Sequence, residues 1–329
     1  MGVYNSPEGH LLVKQILGQN QPPIVPHDYQ TEGVCACLDG ESLLATLPTG
    51  AGKTSYYSFT MLVMIALSKA PELALEGKGF PKNPAMLVIL PTKALQEDMR
   101  KGLTKLGLDA VVINGDTVAD ASKQRVDLWK ECQKKHSMIL ISPEELISNA
   151  FRTLLASPDF AARLCRYGID EAHLIVNWGK TGFRNAFMEL GHMRSRLPLV
   201  NNHLMPVIVT SATIRPGEPM DTICNVLGLT AGDYHLIRRS NLRPDIKIII
   251  RELSSSLSGL SFPELDWILE QNNTVIFCRT IGIGFRVAAY LWRTAITKRL
   301  PRLGFWFSQL TDRRDFRFPV DCGGWPHPE

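Results

Sequence analysis

Paired cysteines are absent from this chain: Cys35, Cys37, Cys132, Cys165, Cys224, Cys278 and Cys322 are scattered, odd in number and form no CxxC pair. That excludes a disulfide framework and a zinc site as the default, and a reducing compartment is expected. A long apolar span is also missing. Tyr56 to Leu67 is apolar but too short to cross a bilayer, and it directly follows a glycine loop, so a buried helix is expected there and no membrane role. Met1 to Gln21 is polar, without a basic start and a long apolar run, so no signal peptide is expected. Charge of one sign is not in large excess. The net charge of +4 permits a polyanionic partner without demanding one. Neither an internal repeat nor a low-complexity tract is present, and 45% hydrophobic with 21% charged residues excludes a disordered chain. At 329 residues, two compact units are expected.

What is there is a series of short apolar runs: Ser42 to Leu47, Met86 to Leu90, Ala110 to Ile113, Met138 to Ile141, Leu164 to Ile169 and Val207 to Val209. Helix-length segments such as Ala94 to Leu106 and Val118 to Lys134 separate them. The alternation spells βαβ units, hence an α/β domain with a parallel sheet and helices on both faces. Ligands of such sheets sit at the carboxyl ends of strands. Three motifs follow three of these runs directly: Thr49-Gly50-Ala51-Gly52-Lys53-Thr54, Asp170-Glu171-Ala172-His173 and Ser211-Ala212-Thr213. Their convergence on one edge is therefore expected.

In the first motif, backbone N–H groups and a helix N-terminus face a phosphate, Lys53 neutralises it and Thr54 is placed to ligate magnesium. The full GxxxxGK[ST] pattern fails, because Leu47 occupies its first glycine position. An Asp-Glu pair alone is commonly a solvated acidic turn, but the glycine loop upstream changes that reading. Asp170 would hold the metal, and Glu171 would orient or deprotonate the attacking water. His173 has no second His or Cys at ligand spacing, so a hydrogen bond towards Ser211 or Thr213 fits better than zinc. Gln30, about two dozen residues before the loop, carries a carboxamide able to read adenine, with His27 and Tyr29 placed to stack on the base. Trp178, Phe183 and Arg184 lie in a segment with two glycines and two cations. Stacking on unpaired bases is favoured there over simple burial.

Taken in order, Gln30, Pro48 to Thr54, Pro91-Thr92-Lys93, Ser142-Pro143-Glu144, Asp170 to His173, Ser211 to Thr213 and Val275 to Arg279 resemble the boxes of a superfamily 2 helicase. Trp178-Gly179, Phe183-Arg184 and Ser240-Asn241-Leu242-Arg243 are similar to the aromatic loop and the connector of the RecQ family of ATP-dependent DNA helicases. The resemblance spans about Gln30 to Trp292. It implies a RecA-like P-loop NTPase lobe followed by a second RecA-like lobe, and a motor that uses ATP and Mg2+ to walk 3′ to 5′ on single-stranded or forked DNA in repair or recombination. It further implies that Lys53, Thr54, Asp170 and Glu171 run the ATPase and that Thr49, Gly50, Ala51 and Gly52 cradle phosphate. Gln30 reads adenine, and Thr92, Lys93 and Ser142 grip the strand. Trp178, Phe183 and Arg184 couple DNA contact to hydrolysis, and Ser211 and Thr213 belong to the same coupling. A nuclear location follows if the organism is eukaryotic, and a cytoplasmic one otherwise. His27 stands where an arginine is common in the family, and Ser211 where many relatives have threonine.

The expected organisation is an ATP-binding lobe over 1–238, a partial second lobe over 239–296 and an irregular tail over 297–329. In the second lobe, strands are expected at Ile246 to Ile250 and Thr274 to Cys278, and helices at Phe262 to Glu270 and Phe285 to Trp292. The family's later boxes, among them the one that supplies an arginine finger, are not found after Trp292, nor are its zinc module and winged helix. The tail from about Thr297 thus reads as sequence from an intron or a shifted frame, and slow hydrolysis with little unwinding is expected. An RNA helicase of DEAD or DEAH type and a non-catalytic ATP- or nucleic-acid-binding fragment are the alternatives.

Overall fold

A computed structural model describes residues 2–176, 190–200, 202–242, 246–247, 249–250, 252–270, 274–298, 305–309 and 312–318. The chain divides into two compact units, Met1–Pro244 and Asp245–Glu329. The first is built on seven strands: β1 (Ser42–Thr46), β2 (Ala85–Ile89), β3 (Ala110–Ile113), β4 (Met138–Ile141), β5 (Leu164–Ile169), β6 (Val207–Ser211) and β7 (Tyr234–Arg238). They lie in the order β3-β4-β2-β5-β6-β1-β7, and every pairing is parallel. The expected α/β sheet is present. Its internal strands are short, mainly apolar and buried on both faces, as a doubly covered parallel sheet requires; β5 also buries Arg166, which bonds the Cys165 and Cys37 carbonyls.

Successive side chains of each strand serve opposite cores. Leu43 and Ala45 join Met86, Val88, Met138, Leu140 and Ile208 on one face. Leu44 joins Leu87, Ile89, Ile139, Ile141, Val207 and Val209 on the other. The first face is covered by α1 (Pro7–Gly18), α2 (Asp28–Asp39), α3 (Ser55–Lys69) and α4 (Lys93–Lys105). The second is covered by α5 (Gly115–Lys123), α6 (Leu128–Lys134), α7 (Asn149–Leu155), α8 (Pro158–Arg163), α9 (Leu190–Arg196) and α10 (Glu218–Leu227). The Tyr56 to Leu67 run is the buried helix α3, and no helix among the described residues is long and apolar enough to cross a membrane.

Several details differ from the sequence reading. The single helix expected over Val118 to Lys134 is two, α5 and α6, because Arg125 between them takes a left-handed backbone at φ 59°. Edge strand β7 carries polar Tyr234, His235 and Arg238 on either side of just two apolar residues, Leu236 and Ile237, so no apolar run announced it. The first unit also continues past Arg238. Arg239 N–H donates to the Thr46 carbonyl at 2.9 Å, and the Asn241 amide donates to the Ala212 carbonyl, which ties the connector to the sheet edge.

In the second unit, a 3-10 helix (Pro263–Glu270) rather than an α-helix packs on α11 (Ile281–Thr297). Phe262, Leu269, Val287, Leu291 and Ala295 form its core. The described residues of Ile246 to Ile250 and Thr274 to Cys278 are not strands. Ile250, Val275 and Phe277 are 93%, 76% and 92% exposed, so among the described residues no neighbouring strand supplies backbone partners to these apolar runs or covers their faces. The tail is not wholly irregular, since β8 (Phe305–Gln309) pairs antiparallel with β9 (Asp312–Phe318). That pairing is a matter of backbone hydrogen bonds, which side-chain periodicity in the tail did not reveal.

Gly168 in β5 is where the fold meets the site. A Cβ placed there would lie 2.3 Å from the Tyr57 ring, so glycine is what lets the tyrosine ring of α3 pack against the sheet. Gly168→Ala is expected to lower unfolding free energy by about 2 kcal/mol or more, through overpacking against a fully buried ring. Exposed Gly102 in α4 has open space around it, and Gly102→Ala is expected to raise stability by roughly 0.5–1 kcal/mol. Urea denaturation of the two variants checks both signs.

Candidate active site

Strands β5, β6 and β1 are consecutive neighbours, so the chain segments leaving their carboxyl ends start about 5 Å apart. Between β1 and α3 runs the glycine loop. Gly50 and Gly52 take positive φ of 87° and 75°, and the loop closes through Ala51 N–H to the Pro48 carbonyl and Ser55 N–H to the Gly52 carbonyl. The N–H groups of Gly52, Lys53 and Thr54 donate to nothing among the described residues. With α3 beginning at Ser55, they form an anion cradle at a helix N-terminus. Thr49, Gly50, Gly52 and Thr54 are exposed and Ala51 and Lys53 half-buried, so the loop is open to a ligand.

Asp170 follows the last residue of β5 and is buried. Its Oδ1 accepts from the Thr210 hydroxyl at 2.7 Å and from the Glu171 N–H at 2.9 Å. Thr210 is shared with the Tyr57 hydroxyl at 2.6 Å, so α3 and β6 together fix this carboxylate. Burial lifts the Asp170 carboxyl above the usual aspartate range; Thr210 pulls the other way and the Glu171 charge adds to the rise. Glu171 turns the chain at φ 53°, a left-handed conformation rare for a side chain of this kind. That turn takes it off the strand's alternation. Its Oε2 lies 3.2 Å from His173 Nδ1, and this contact holds the Glu171 carboxyl below the usual glutamate range against partial burial. His173 Nδ1 also lies 2.9 Å from Ser211 Oγ, which accepts from Thr213 N–H at 3.3 Å. Two adjacent carboxylates are thus pushed in opposite directions by their surroundings, the arrangement that separates chemical roles.

Gln30 is buried beside the loop, where a Cβ on Gly52 would lie 2.6 Å from Gln30 Nε2. Its Oε1 accepts from the His27 N–H at 2.9 Å, so part of the carboxamide caps its own helix. His27 and Tyr29 stack on each other at 5.2 Å, the Tyr29 hydroxyl donates to the Ala51 carbonyl at 3.1 Å, and the Arg239 guanidinium lies 5.2 Å over the Tyr29 ring.

The residues read as strand contacts follow other strands. Thr92 and Lys93 come after β2, Thr92 capping α4 through Leu95 N–H at 3.3 Å and Lys93 pairing with Asp116 at 2.7 Å. Ser142 comes after β4 and is buried. Both strands lie on the far side of β5 from the glycine loop. Trp178, Phe183 and Arg184 lie outside the described residues. Sequence reasoning missed Thr210, Tyr57 and Gly168. The signals were present: a hydroxyl closing the apolar run Val207 to Val209, a tyrosine one helical turn after Thr54, and a glycine inside the bulky run Leu164 to Ile169.

The family model for the DEAD/DEAH box helicase matches residues 27–222, which hold both boxes. The chain belongs to that family. Its relatives include the ATP-dependent DNA helicase RecQ of Haemophilus influenzae, 25% identical over 80% of this chain and 37% of the relative. The ATP-dependent DNA helicase RecQ of Synechocystis is 30% identical over 68% of this chain and 42% of the relative. A putative ATP-dependent RNA helicase, R290, of Acanthamoeba polyphaga mimivirus is 27% identical over 82% of this chain and 42% of the relative. The chain thus spans well under half the length of these relatives. Membership implies use of ATP and magnesium and binding to nucleic acid. The oxygen donors at hand, the Asp170 carboxylate and the Thr54 hydroxyl, suit a magnesium ion.

An ionised Asp170 costs folding energy because its folded pKa is raised, so the cost is complete above the folded pKa and vanishes as pH falls below the unfolded value. Asp170→Asn is accordingly expected to raise the melting temperature of the nucleotide-free chain at pH 7, with the gain shrinking as pH falls towards about 4. Thermal unfolding across a pH series checks the sign.

Proposed function

We propose that this chain carries the ATP-hydrolysing lobe of a 3′ to 5′ DNA-translocating helicase of RecQ type. Met1–Pro244 is the first RecA-like lobe, and the residues after it belong to part of a second. The observation that carries the reading is the meeting of the Lys53 loop, the Asp170–Thr210–Tyr57 set and the Glu171–His173–Ser211 set on one edge of one sheet. Lys53 and the free N–H groups of the loop bind the triphosphate, and Gln30 and Tyr29 flank its base. Thr54 and Asp170 would hold magnesium, which when bound draws charge from the phosphate oxygens. Glu171, kept ionised by His173, orients the attacking water and takes its proton.

His173 touches both Glu171 and Ser211, so a shift of the Ser211–Thr213 segment changes the position of the water-orienting carboxylate. That is a physical route from a nucleic-acid contact to hydrolysis. Thr92, Lys93 and Ser142 meet the strand on the β2 and β4 side of the edge, and Trp178, Phe183 and Arg184 stack on its unpaired bases. Single-stranded or forked DNA is the partner, in repair or recombination, within the nucleus of a eukaryote.

In steady-state ATPase assays with single-stranded DNA, Glu171→Gln is expected to lower turnover by about 10²-fold or more, a general-base effect. Trp178→Ala is expected to remove most of the DNA stimulation and spare DNA-free turnover. Unchanged turnover in Glu171→Gln would remove this carboxylate from hydrolysis, and would favour a non-catalytic nucleotide-binding protein if the parent chain's turnover is no more than background. Stimulation by RNA in place of DNA would favour the RNA motor to which the viral relative's name points.

A further inference from the structure

A cleft of about 500 Å³ opens at the carboxyl ends of β1, β6 and β7, and of its lining side chains only Thr213 belongs to the segment proposed above for coupling. Thr46, Thr213, Arg215, Arg238, Arg239 and Asn241 line it, with no acidic side chain among its described lining residues. Arg215 is exposed and has no partner among the described residues. Arg238 spends one nitrogen on the Ile214 carbonyl at 2.8 Å and one on Met220 Sδ at 3.3 Å, which fixes the guanidinium against the wall. Arg239 contributes its backbone, tied to the Thr46 carbonyl, while its guanidinium lies over the Tyr29 ring, so Arg215 and Arg238 are the cations of the cleft.

Thr46 is the second observation. It is 2% exposed, and its buried Oγ1 has no hydrogen-bond partner among the described residues. An unpaired hydroxyl at the floor of a cationic cleft is a donor in want of an acceptor. Alternation along β1 sets Thr46 on the face of Leu44, whereas α3 and its glycine loop occupy the face of Leu43 and Ala45. The cleft is therefore on the opposite face of the sheet from the helix that closes the triphosphate cradle.

We propose that this cleft is a second phosphate-binding site, distinct from the Lys53 loop. Guanidinium groups recognise phosphate oxygens through charge-assisted, planar hydrogen bonds, and the Thr46 hydroxyl supplies a further donor. The chemistry is shared by a phosphodiester of a polynucleotide strand and by a free polyphosphate. Thr213, which lines the cleft, also donates to Ser211, the residue against His173, so an anion bound here sits beside the set that holds Glu171.

The test uses the full chain carrying Lys53→Ala, which disables the triphosphate cradle. Tripolyphosphate is titrated calorimetrically, and a labelled short oligodeoxythymidylate is followed by anisotropy. At least one probe is expected to bind, and to lose about tenfold in affinity with Arg215→Gln and again with Thr46→Val, which changes no charge. Loss with the oligonucleotide alone assigns a strand, and loss with tripolyphosphate alone assigns a free polyphosphate. Should Thr46→Val fail to fold, Arg238→Gln serves as the second reporter. Binding of neither probe, unchanged affinities, or a loss with Arg215→Gln that the second reporter does not share overturns the proposal.

Discussion

The parallel hydrogen-bond ladder through β5, β6 and β1 is the constraint on which the rest of the molecule depends. It makes neighbours of segments 40 residues apart, at Gly168 and Ile208, and 165 apart, at Leu43 and Ile208, and it delivers all three to the edge where strand carboxyl ends meet helix N-termini. The ladder alone would leave Asp170 an unsupported buried charge. Gly168 removes that difficulty by giving up its side chain, which admits the Tyr57 ring onto the sheet. The Tyr57 hydroxyl then reaches Thr210, and Thr210 reaches Asp170. A glycine in a strand, a tyrosine on a helix and a threonine at a strand end thus form one device for holding a carboxylate out of water.

The same edge separates two chemically identical groups. Asp170 sits where burial opposes its charge, so a cation that arrives there relieves an existing cost. Glu171 sits where His173 favours its charge, so it stays ionised. The left-handed turn at Glu171 keeps both carboxylates at this one edge, because on a regular strand the two side chains would point to opposite faces. Local backbone strain at this one residue is balanced by the packing of Ala172, whose N–H bonds the Thr210 carbonyl.

Six of the seven strands of the sheet were legible as apolar runs, because a parallel sheet covered on both faces demands such runs. β7 was not, since an edge strand is under no such demand and its polar residues break the pattern. The boxes were legible through residue type, but not the order of strands that brings them together. Gln30 and Tyr29 show the limit clearly: the sequence offers a carboxamide and a ring, whereas the structure ties one to its own helix N-terminus and the other to the loop carbonyl of Ala51. The runs at Ile246 to Ile250 and Thr274 to Cys278 show it from the other side. A run apolar enough for a strand forms one only where neighbours exist to complete its ladder.

Asp170 as a cation-receiving carboxylate is the central claim, and nucleotide affinity with and without magnesium tests it most directly. A fluorescent ATP analogue is titrated into the parent chain and into Asp170→Asn, each in magnesium and in chelator. Magnesium is expected to tighten binding to the parent and to have little effect on Asp170→Asn. Equal tightening in the two chains would contradict the assignment and place the ion elsewhere.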